Sequence, residues 1–305
     1  MPTYYSWGVY EKEIPESTTL ARRTPILSLR IENPSLQIER SYTPLTMSPN
    51  DIRLIIKLYP NGELSRFLHI LTPGMATVWV NQGRQEWIYQ EGEWDHVVFV
   101  CGGTGITPAY QLCSTALERQ KILEDAMREK DQELKKTRFS VVCAVRDVPS
   151  ILLRDEFHDV KRQFGQDGLL DVKYFVDSWA AGIPKGIERP EDMFPGPITE
   201  KVIRETIKRT EPEAPRGWFQ RGEKKKEEDE MLVVRDEKVM VLVCGPHGFT
   251  SYIAGPHGGV AHIQGPKGGL LTNVEGIELF KLLESRGLSD VELDRLTSRK
   301  AIRSQ

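Results

Sequence analysis

Four short motifs in this chain combine residue types that bind phosphate groups and aromatic cofactors. In the first, Arg40-Ser41-Tyr42-Thr43, Arg40 and Tyr42 lie two residues apart and share one face of a predicted strand. An arginine there would neutralise a phosphate, a tyrosine ring would lie flat on an aromatic cofactor, and Thr43 would offer a hydroxyl and an N–H to its edge. An exposed strand with an arginine that binds nothing is the alternative for this motif alone.

The second and third motifs are glycine-containing turns that each precede a helix. Gly62-Glu63-Leu64-Ser65 opens a short predicted helix, whose free N–H groups and positive dipole end suit a pyrophosphate; a plain capping serine is the alternative. Gly102-Gly103-Thr104-Gly105-Ile106-Thr107-Pro108 follows an apolar strand and opens a longer helix. Its glycines would let the backbone approach a phosphate closely. The turn differs from a G-x-G-x-x-G fingerprint because Pro108 replaces the last glycine, and no Gly-Lys-Ser/Thr of a Walker loop follows.

The fourth motif, Cys244-Gly245-Pro246, ends the apolar stretch Val239–Cys244. Ligands of open α/β sheets bind at the carboxyl ends of strands, so the Cys244 thiol would contact a nicotinamide there; a buried cysteine before a loop is the alternative. The other cysteines are far apart in sequence and form no C-x-x-C pair, so we expect no metal site or disulfide framework. Cys101 and Cys143 are predicted to be buried as small hydrophobic residues.

The elements that must position the first two motifs are short strands between about residues 6 and 93. In Asp51–Tyr59 apolar and charged side chains alternate, as in a strand with one buried face. The other predicted strands are Ile26–Ile31, Gln37–Leu45, Met75–Asn81 and Glu86–Tyr89. Five or six such strands within ninety residues predict a small antiparallel β-barrel.

From His96 onward the pattern changes to strands that are apolar on both faces and alternate with helices. This alternation predicts a doubly wound parallel sheet of the α/β class. The predicted strands are Val97–Cys101, Phe139–Val145, Leu170–Val176 and Val239–Cys244, and the predicted helices are one from Pro108, Ile151–Phe164 and Ile198–Arg209. We therefore predict two domains, residues 1–94 and residues 95–305.

Two segments fall outside this plan. Residues 177–238 form a charged insertion, in which Arg221–Glu230 is expected to be a solvated loop. The second is a Gly/Pro-rich tail, residues 255–305. Three G-P-x-G units begin at Gly245, Gly255 and Gly265, ten residues apart, and ordinary turns recurring by chance would also explain them. A helix between Asn273 and Gly287 is predicted in it, and a second one is predicted after the capping box Ser289–Glu292.

Composition excludes several classes of function. The 305 residues carry 41 basic and 44 acidic side chains, a formal net charge of −3, which argues against a nucleic-acid-binding protein. The longest apolar stretch falls far short of the ~20 residues that span a bilayer. The first twenty residues resemble neither a signal peptide nor a transit peptide, so we expect membrane attachment only through a segment not in this chain.

In their order along the chain, the four motifs resemble those of the ferredoxin reductase superfamily, and within it the cytochrome b5 reductase branch. The similarity covers about residues 6–176 and 238–250. It implies a barrel that binds FAD, followed by an α/β domain that binds NADH or NADPH, in an FAD-containing oxidoreductase. After the strand Phe139–Val145 the chain reads Arg146-Asp147, which carries signals for both nucleotides, and we expect NADH.

The resemblance also implies a role for each motif residue. Arg40 would hold the FAD pyrophosphate, Tyr42 would stack on the flavin, and Thr43 would hydrogen-bond near its N5, with Ser41 also among the cofactor-binding residues. Lys57 and Tyr59 would flank the ribityl and phosphate region. The residues expected to cradle the pyrophosphate are Gly62, Glu63, Leu64 and Ser65. The residues expected to face NAD(P)H are Gly102, Gly103, Thr104, Gly105, Thr107, Pro108, Cys244, Gly245 and Pro246. Thr43 and Cys244 would be the catalytic residues.

The tail, with its G-P-H-G-G and Q-G-P-K-G-G-L-L sequences, resembles that of the fungal cytochrome c mitochondrial import factors, a flavoprotein subfamily that assists haem attachment. This resemblance implies electron transfer to haem iron, with cytochrome c and haem lyase as partners. It also implies the mitochondrial inner membrane, facing the intermembrane space. Two alternatives remain open: a general NADH-cytochrome b5 or quinone reductase, and an assembly factor in which FAD is structural.

Overall fold

The computed structural model describes residues 3–7, 23–48, 51–72, 78–128, 135–165, 168–178, 189–208, 237–255, 268–275, 277 and 279–283. The strands are β1 Thr3–Trp7, β2 Arg23–Asn33, β3 Ile38–Tyr42, β4 Thr46–Ser48, β5 Asp51–Ile56, β6 Trp79–Gln90, β7 His96–Gly102, β8 Arg138–Asp147, β9 Leu170–Ser178, β10 Met193–Pro195, β11 Val239–Cys244 and β12 Leu279–Leu283. The α-helices are α1 Glu63–Ile70, α2 Thr107–Arg128, α3 Arg154–Phe164, α4 Glu200–Ile207 and α5 His247–Ala254.

The N-terminal half consists of two three-stranded antiparallel sheets, β3-β2-β6 and β1-β5-β4. Alternate apolar residues of β2 and β5 point between the sheets, where Leu64 and Leu68 of α1 join them in one buried cluster. The two sheets therefore share a core, with α1 packed against it.

The C-terminal half is a six-stranded parallel sheet in the order β10-β9-β8-β7-β11-β12. Strands β7 and β11 are buried throughout, because helices cover both faces of the sheet. The chain enters at β7, runs outward to β10 and returns on the other side of β7 at β11. The order of strands thus reverses between β7 and β11, which is where ligands bind in open α/β sheets.

The two halves are joined by a continuous apolar core. Ile26 of β2 and Tyr89 of β6 lie in the same buried cluster as Phe139 of β8 and Leu112 of α2. The rings of Tyr89 and Phe139 meet edge to face, with their centroids 5.5 Å apart. Helix α2 begins at the Gly-rich turn and packs against β2, so it connects the third motif to the N-terminal half.

These features confirm the predicted fold class, an antiparallel β domain followed by a parallel α/β domain. The described residues of two predicted strands, Met75–Asn81 and Glu86–Tyr89, belong to the single strand β6, which pairs with β2. Residues 75–77 of the first prediction lie outside the described residues. The helix predicted between Asn273 and Gly287 is wrong for the described residues Leu279–Leu283, which form β12 and pair in parallel with β11.

The described residues 189–208 of the charged insertion contain a strand and a helix. Strand β10 pairs in parallel with β9, and α4 confirms the predicted helix Ile198–Arg209. The side chain of Thr199 accepts a hydrogen bond from Val202 N–H and caps α4. Residues 221–230 and the capping box Ser289–Glu292 lie outside the described residues. Within the described ranges, none of the helices has the length and apolar character needed to cross a membrane.

Candidate functional site

The Gly-rich turn and the end of β11 meet at the point where the strand order reverses. A Cβ atom on Gly105 would lie 2.6 Å from the carbonyl carbon of Cys244 and 2.8 Å from the nitrogen of Gly245. Backbone atoms cannot move aside as a side chain can, so this contact requires glycine. Gly103 has a φ of +54°, a conformation that residues with a Cβ rarely adopt.

Phe249 of α5 covers the two strand ends from one side. A Cβ on Gly102 or on Gly245 would lie 2.8 or 2.7 Å from its ring. The same Cβ on Gly245 would lie 3.1 Å from the nitrogen of Gly102, so the two backbones approach each other directly. The sequence did not assign a role to Phe249, although it lies only five residues after Cys244.

Thr107 and Thr104 of the Gly-rich turn are hydrogen-bonded to each other. The hydroxyl of Thr107 donates to the carbonyl oxygen of Thr104 at 3.1 Å, and the N–H of Thr107 bonds to the same oxygen. Thr107 and Pro108 are buried in the first turn of α2. These bonds fix the backbone of the turn, which leaves its N–H groups and the helix dipole as the features suited to a phosphate.

The cysteines lie close together although they are far apart in sequence. Cys143, Cys101 and Cys244 stand in register on the neighbouring strands β8, β7 and β11, and Cys113 of α2 belongs to the same buried cluster. All four are free thiols. Burial raises the pKa of Cys143 to about 12 and also raises that of Cys101, so both are the inert buried residues that were predicted.

Cys244 was predicted to contact a nicotinamide with its thiol. Its side chain is fully buried in the core of the sheet, whereas its carbonyl lies against Gly105. The backbone of Cys244 and Gly245 is therefore the part that borders the crevice, and the thiol contact stays a prediction. Within the described residues, no group of three or more His, Cys, Asp and Glu side chains is arranged to hold a metal ion.

In the N-terminal half, Arg40 and Tyr42 lie beside the start of α1. The guanidinium of Arg40 donates to the carbonyl oxygen of Glu39 at 2.8 Å. Burial lowers its pKa, whereas the nearby Tyr42 and Glu63 raise it. A half-buried arginine beside a helix N-terminus is a suitable phosphate ligand, and Ser41 lies between Arg40 and Tyr42 on the same strand.

The second motif forms the N-terminus of α1. Its first helical hydrogen bond runs from Arg66 N to Gly62 O at 3.0 Å, so the N–H groups of residues 63–65 precede the helical ladder. The Ser65 hydroxyl is turned inward: it accepts from Tyr59 N–H at 3.1 Å and lies 3.1 Å from Gly62 O. Ser65 thus shapes the turn with its side chain and offers a ligand only its N–H. The ammonium of Lys57 lies 5.6 Å from the centre of the Tyr59 ring.

Gln111, to which sequence analysis assigned no role, connects the two halves of the molecule near the site. Its side-chain oxygen accepts from Leu27 N–H at 2.7 Å, and its side-chain nitrogen donates to the carbonyl oxygens of Pro44 at 2.8 Å and Leu27 at 3.3 Å. Pro44 directly follows the buried Thr43. The only available signal was the position of Gln111, one helical turn after the Gly-rich turn.

Asp147 lies at the carboxyl end of β8. Its Oδ1 accepts hydrogen bonds from the backbone N–H of Ser150 at 3.0 Å and from the Ser150 hydroxyl at 2.5 Å. The carboxylate is thereby held in one orientation at the edge of the sheet where the Gly-rich turn also lies. Arg146, its neighbour, is exposed.

The model of the oxidoreductase NAD-binding domain family matches residues 99–254, just over half of the chain. The chain belongs to this family. It is 28% identical over 222 residues to NADH-cytochrome b5 reductase 1 of Cryptococcus neoformans var. neoformans serotype D, covering 72% of this chain and 61% of the relative. It is 29% identical over 203 residues to NADH-cytochrome b5 reductase 2 of Botryotinia fuckeliana, covering 62% and 54%. The chain thus spans less than two thirds of the length of these relatives.

Among solved structures, the cytochrome b5 reductase domain of Ulva prolifera nitrate reductase superposes with a TM-score of 0.49 at 18% identity, covering 82% of this chain and 90% of that one. The family assignment supports the predicted resemblance to ferredoxin reductase-like flavoproteins and confirms, at the level of the family, FAD and NAD(P)H as cofactors.

The residues present fit both cofactors. For a dinucleotide, the fit rests on the backbone of the turn Gly102–Gly105. A Cβ built on Gly103 would meet nothing within 4 Å, so the backbone there borders open space. For FAD, it rests on the donor set formed by Arg40 and the first N–H groups of α1. The individual contacts of the predicted site residues with either cofactor remain predictions.

Proposed function

We propose that the chain is an FAD-dependent NADH reductase that passes electrons to a haem protein. The observation that carries this proposal is the Gln111 contact, which joins the helix that begins at the Gly-rich turn to Pro44, the residue after Thr43. When bound, FAD would accept a hydride from NADH and release its two electrons singly.

The residues of the chain bind and orient the two cofactors. The backbone of Gly102–Pro108 would receive the NADH pyrophosphate, while Cys244–Pro246 would border the nicotinamide. Arg40 and the N-terminus of α1 would hold the FAD pyrophosphate. Tyr42 would pack on the flavin ring, and Thr43 would donate a hydrogen bond near N5. The apolar core shared by the two halves would keep water out of the space between them.

For the electron acceptor, the similar proteins from Cryptococcus neoformans and Botryotinia fuckeliana favour a haem protein, since both are NADH-cytochrome b5 reductases. A cytochrome of this type is therefore one candidate. The other is haem iron during cytochrome c maturation, with cytochrome c and haem lyase as partners at the mitochondrial inner membrane. It depends on the tail, of which only residues 268–275, 277 and 279–283 are described after Gly255.

A two-step experiment tests the function and separates the acceptors. NADH is mixed anaerobically with the FAD-loaded protein, and we expect the flavin absorbance to bleach within seconds. The reduced protein is then mixed with ferric haem, cytochrome c, cytochrome b5 or a quinone. Rapid transfer only to cytochrome b5 or quinone would exclude the maturation role. A flavin that NADH does not bleach would instead favour an assembly factor with structural FAD.

The FAD assignment is tested by Arg40→Ala. A charge-assisted contact to phosphate contributes about 1.5–3 kcal/mol, so we expect FAD affinity to fall roughly 10–150-fold. The flavin-to-protein ratio after dilution measures this loss. Arg40→Lys keeps the charge but not the planar donor pair, so its FAD affinity should lie between those of the wild type and Arg40→Ala. An Arg40→Ala protein that stays fully loaded would remove the assignment.

A further inference from the structure

Gln111 uses its whole side-chain amide on the backbone of the other half of the molecule. A glutamine amide has one acceptor oxygen and two N–H donors. The oxygen accepts from Leu27 N–H, and the nitrogen donates to Leu27 O and to Pro44 O. Each of these groups belongs to the N-terminal half, whereas Gln111 lies in α2. One side chain therefore fixes two separate backbone segments to one helix.

The position at which β3 ends makes this contact possible. Strand β3 ends at Tyr42, which pairs with Leu29, so Leu27, two residues earlier on β2, has no partner on β3. The N–H and C=O of Leu27 both bond to the side chain of Gln111. Backbone groups shielded from water need partners, and the glutamine supplies one to each of these two groups.

The two segments that Gln111 joins are the ones that carry the predicted cofactor contacts. Pro44 directly follows Thr43, and α2 starts at Thr107 and Pro108, the end of the Gly-rich turn. A shift of Gln111 along or away from β2 would change the distance between these two turns. The apolar core also joins the halves, but apolar contacts are not directional and leave the turns free to slide slightly.

We propose that Gln111 is a positioning residue for hydride transfer, setting the distance and angle between the nicotinamide held by the Gly-rich turn and the flavin held beside Thr43. This inference rests on the proposed function. Hydride transfer requires the reacting atoms to lie about 3–3.5 Å apart, and a misplacement of about 1 Å costs roughly 100-fold in rate. Gln111 contacts neither reacting group; it acts through Pro44 and Leu27.

Arg119 provides the matched control. It lies two helical turns further along α2 and also contacts β2, donating to the carbonyl oxygen of Arg23 and to the hydroxyl of Thr24 at 3.3 Å. It crosses the same boundary between the halves but away from the Gly-rich turn. If cross-boundary hydrogen bonds matter only for stability, Arg119→Met and Gln111→Met will have the same effects.

The variants Gln111→Met, Gln111→Glu and Arg119→Met are compared as FAD-loaded proteins. Methionine keeps the length of glutamine and loses all three bonds. Glutamate keeps an acceptor for Leu27 N–H but faces the two carbonyl oxygens with a negative charge. Stopped-flow flavin reduction at saturating NADH gives the rate, while the flavin ratio, the thermal midpoint and amide hydrogen exchange of Leu27 without NADH give readouts independent of turnover.

We expect both Gln111 variants to reduce flavin about 10–100-fold more slowly than the wild type, with full FAD loading and NADH affinity within about threefold. Leu27 should exchange faster in Gln111→Met and remain protected in Gln111→Glu. Arg119→Met should lower the thermal midpoint and leave the rate within about twofold.

Equal rates in wild type and Gln111 variants, or equal slowing by Arg119→Met, overturn the positioning role. If Gln111→Met does not fold, Gln111→Asn, which is one methylene shorter, decides by the same rate criterion. If NADH fails to reduce the flavin of the wild type, the proposed function itself is wrong. If NADH reduces the wild type and the variants at the same rate, only the positioning role of Gln111 is wrong.

Discussion

The strands of the parallel sheet end in different kinds of residue on its two sides. We call the side where the strands end the carboxyl edge and the side where they begin the amino edge. At the carboxyl edge, Gly102, Gly105 and Gly245 bring backbone against backbone, and the aromatic ring of Phe249 covers them. At the amino edge, charged and polar side chains tie the strand starts together. The carboxyl edge leaves backbone groups available to a ligand. At the amino edge, the side chains hydrogen-bond and pair with one another.

The amino edge is centred on His96, which is fully buried at the start of β7. Its Nδ1 accepts from the guanidinium of Arg138 at 3.0 Å, so its Nε2 carries the proton and donates to the hydroxyl of Ser140 at 2.9 Å. Arg138 also lies 3.8 Å from the carboxylate of Glu237, just before β11. Three neighbouring strands, β8, β7 and β11, are thereby linked at one end.

Because of this difference, we expect the carboxyl ends of the strands to serve ligand binding and their amino ends to serve stability. Substitutions at the carboxyl edge should change how the protein handles nucleotides, and substitutions at the amino edge should change the free energy of unfolding. Each prediction below tests whether this separation holds.

The largest effect is expected for Gly105→Ala. Its Cβ would overlap the backbone of Cys244, which has no room to move because β11 lies between β7 and β12. The Gly-rich turn must then move away from β11, and we expect flavin reduction by NADH to slow by about 100-fold or more. Overpacking should also lower the free energy of unfolding by about 1–3 kcal/mol.

Gly248→Ala is the control at the same edge. A Cβ on Gly248 meets nothing within 4 Å, and this residue lies in the first turn of α5. Alanine favours helix over glycine, so this variant should be unchanged in rate and up to about 1 kcal/mol more stable. If both alanine variants slow reduction equally, the close contact with Cys244 is not the cause.

From the sequence, the Gly-rich turn and Cys244-Gly245 of the carboxyl edge could be located, whereas Phe249 and the contacts of the amino edge could not. The Gly-rich turn and Cys244-Gly245 stand out because glycine after an apolar strand has a local meaning. The network of His96 has no such signal: Arg138 and Ser140 lie more than forty residues away, and only the parallel register brings them together. The row of cysteines on β8, β7 and β11 was missed for the same reason.

The edge strand β12 shows a second limit of the sequence. The helix predicted there rests on Asn273 as its N-cap and Gly287 as its stop signal, both of which are local features of the sequence. The strand forms because β11 offers a free edge of backbone groups, which pair with Leu279–Leu283. Gln111 is a similar case, since its partners Leu27 and Pro44 lie 84 and 67 residues away in the sequence.

The next largest effect concerns pH and His96. Burial and the neighbouring Arg138 lower the pKa of His96 to about 3, from an ordinary value of 6.5. Above pH 6.5 the imidazole is neutral in the folded and unfolded chains, so it contributes no pH dependence. Below pH 6.5 only the unfolded chain takes up the proton, so stability should fall by about 2–3 kcal/mol between pH 6.5 and 4.5.

Chemical denaturation of His96→Gln across this pH range checks that assignment. Glutamine does not titrate, and it keeps an amide that accepts from Arg138 and donates to Ser140. The variant should therefore be less stable at neutral pH and lose less stability on acidification. A variant whose curve runs parallel to that of the wild type would show that His96 does not cause the acid sensitivity. Flavin reduction by NADH at pH 7 should remain within about twofold.

The smallest predicted effect brings the comparison back to the carboxyl edge, where Asp147 is a charged residue among glycines. Ser150 holds its carboxylate through two hydrogen bonds to Oδ1, which leaves the negative charge at the edge of the site. A carboxylate would accept from a ribose hydroxyl and repel a phosphate on that ribose, so we expect NADH to be preferred over NADPH. Asp147→Asn keeps the acceptor for Ser150 and removes only the charge.

The ratio of kcat/KM for NADH and NADPH should fall about tenfold in Asp147→Asn, since one lost charge interaction at a partly solvated site is worth about 1–1.5 kcal/mol. The change should appear mainly in KM, because the charge contacts a part of the nucleotide that does not react. Arg146→Gln should shift the ratio the opposite way, since it removes the cation that would attract a phosphate. A ratio that neither variant changes would mean that the end of β8 does not face the ribose, and the charge of Asp147 would then serve only to orient Ser150.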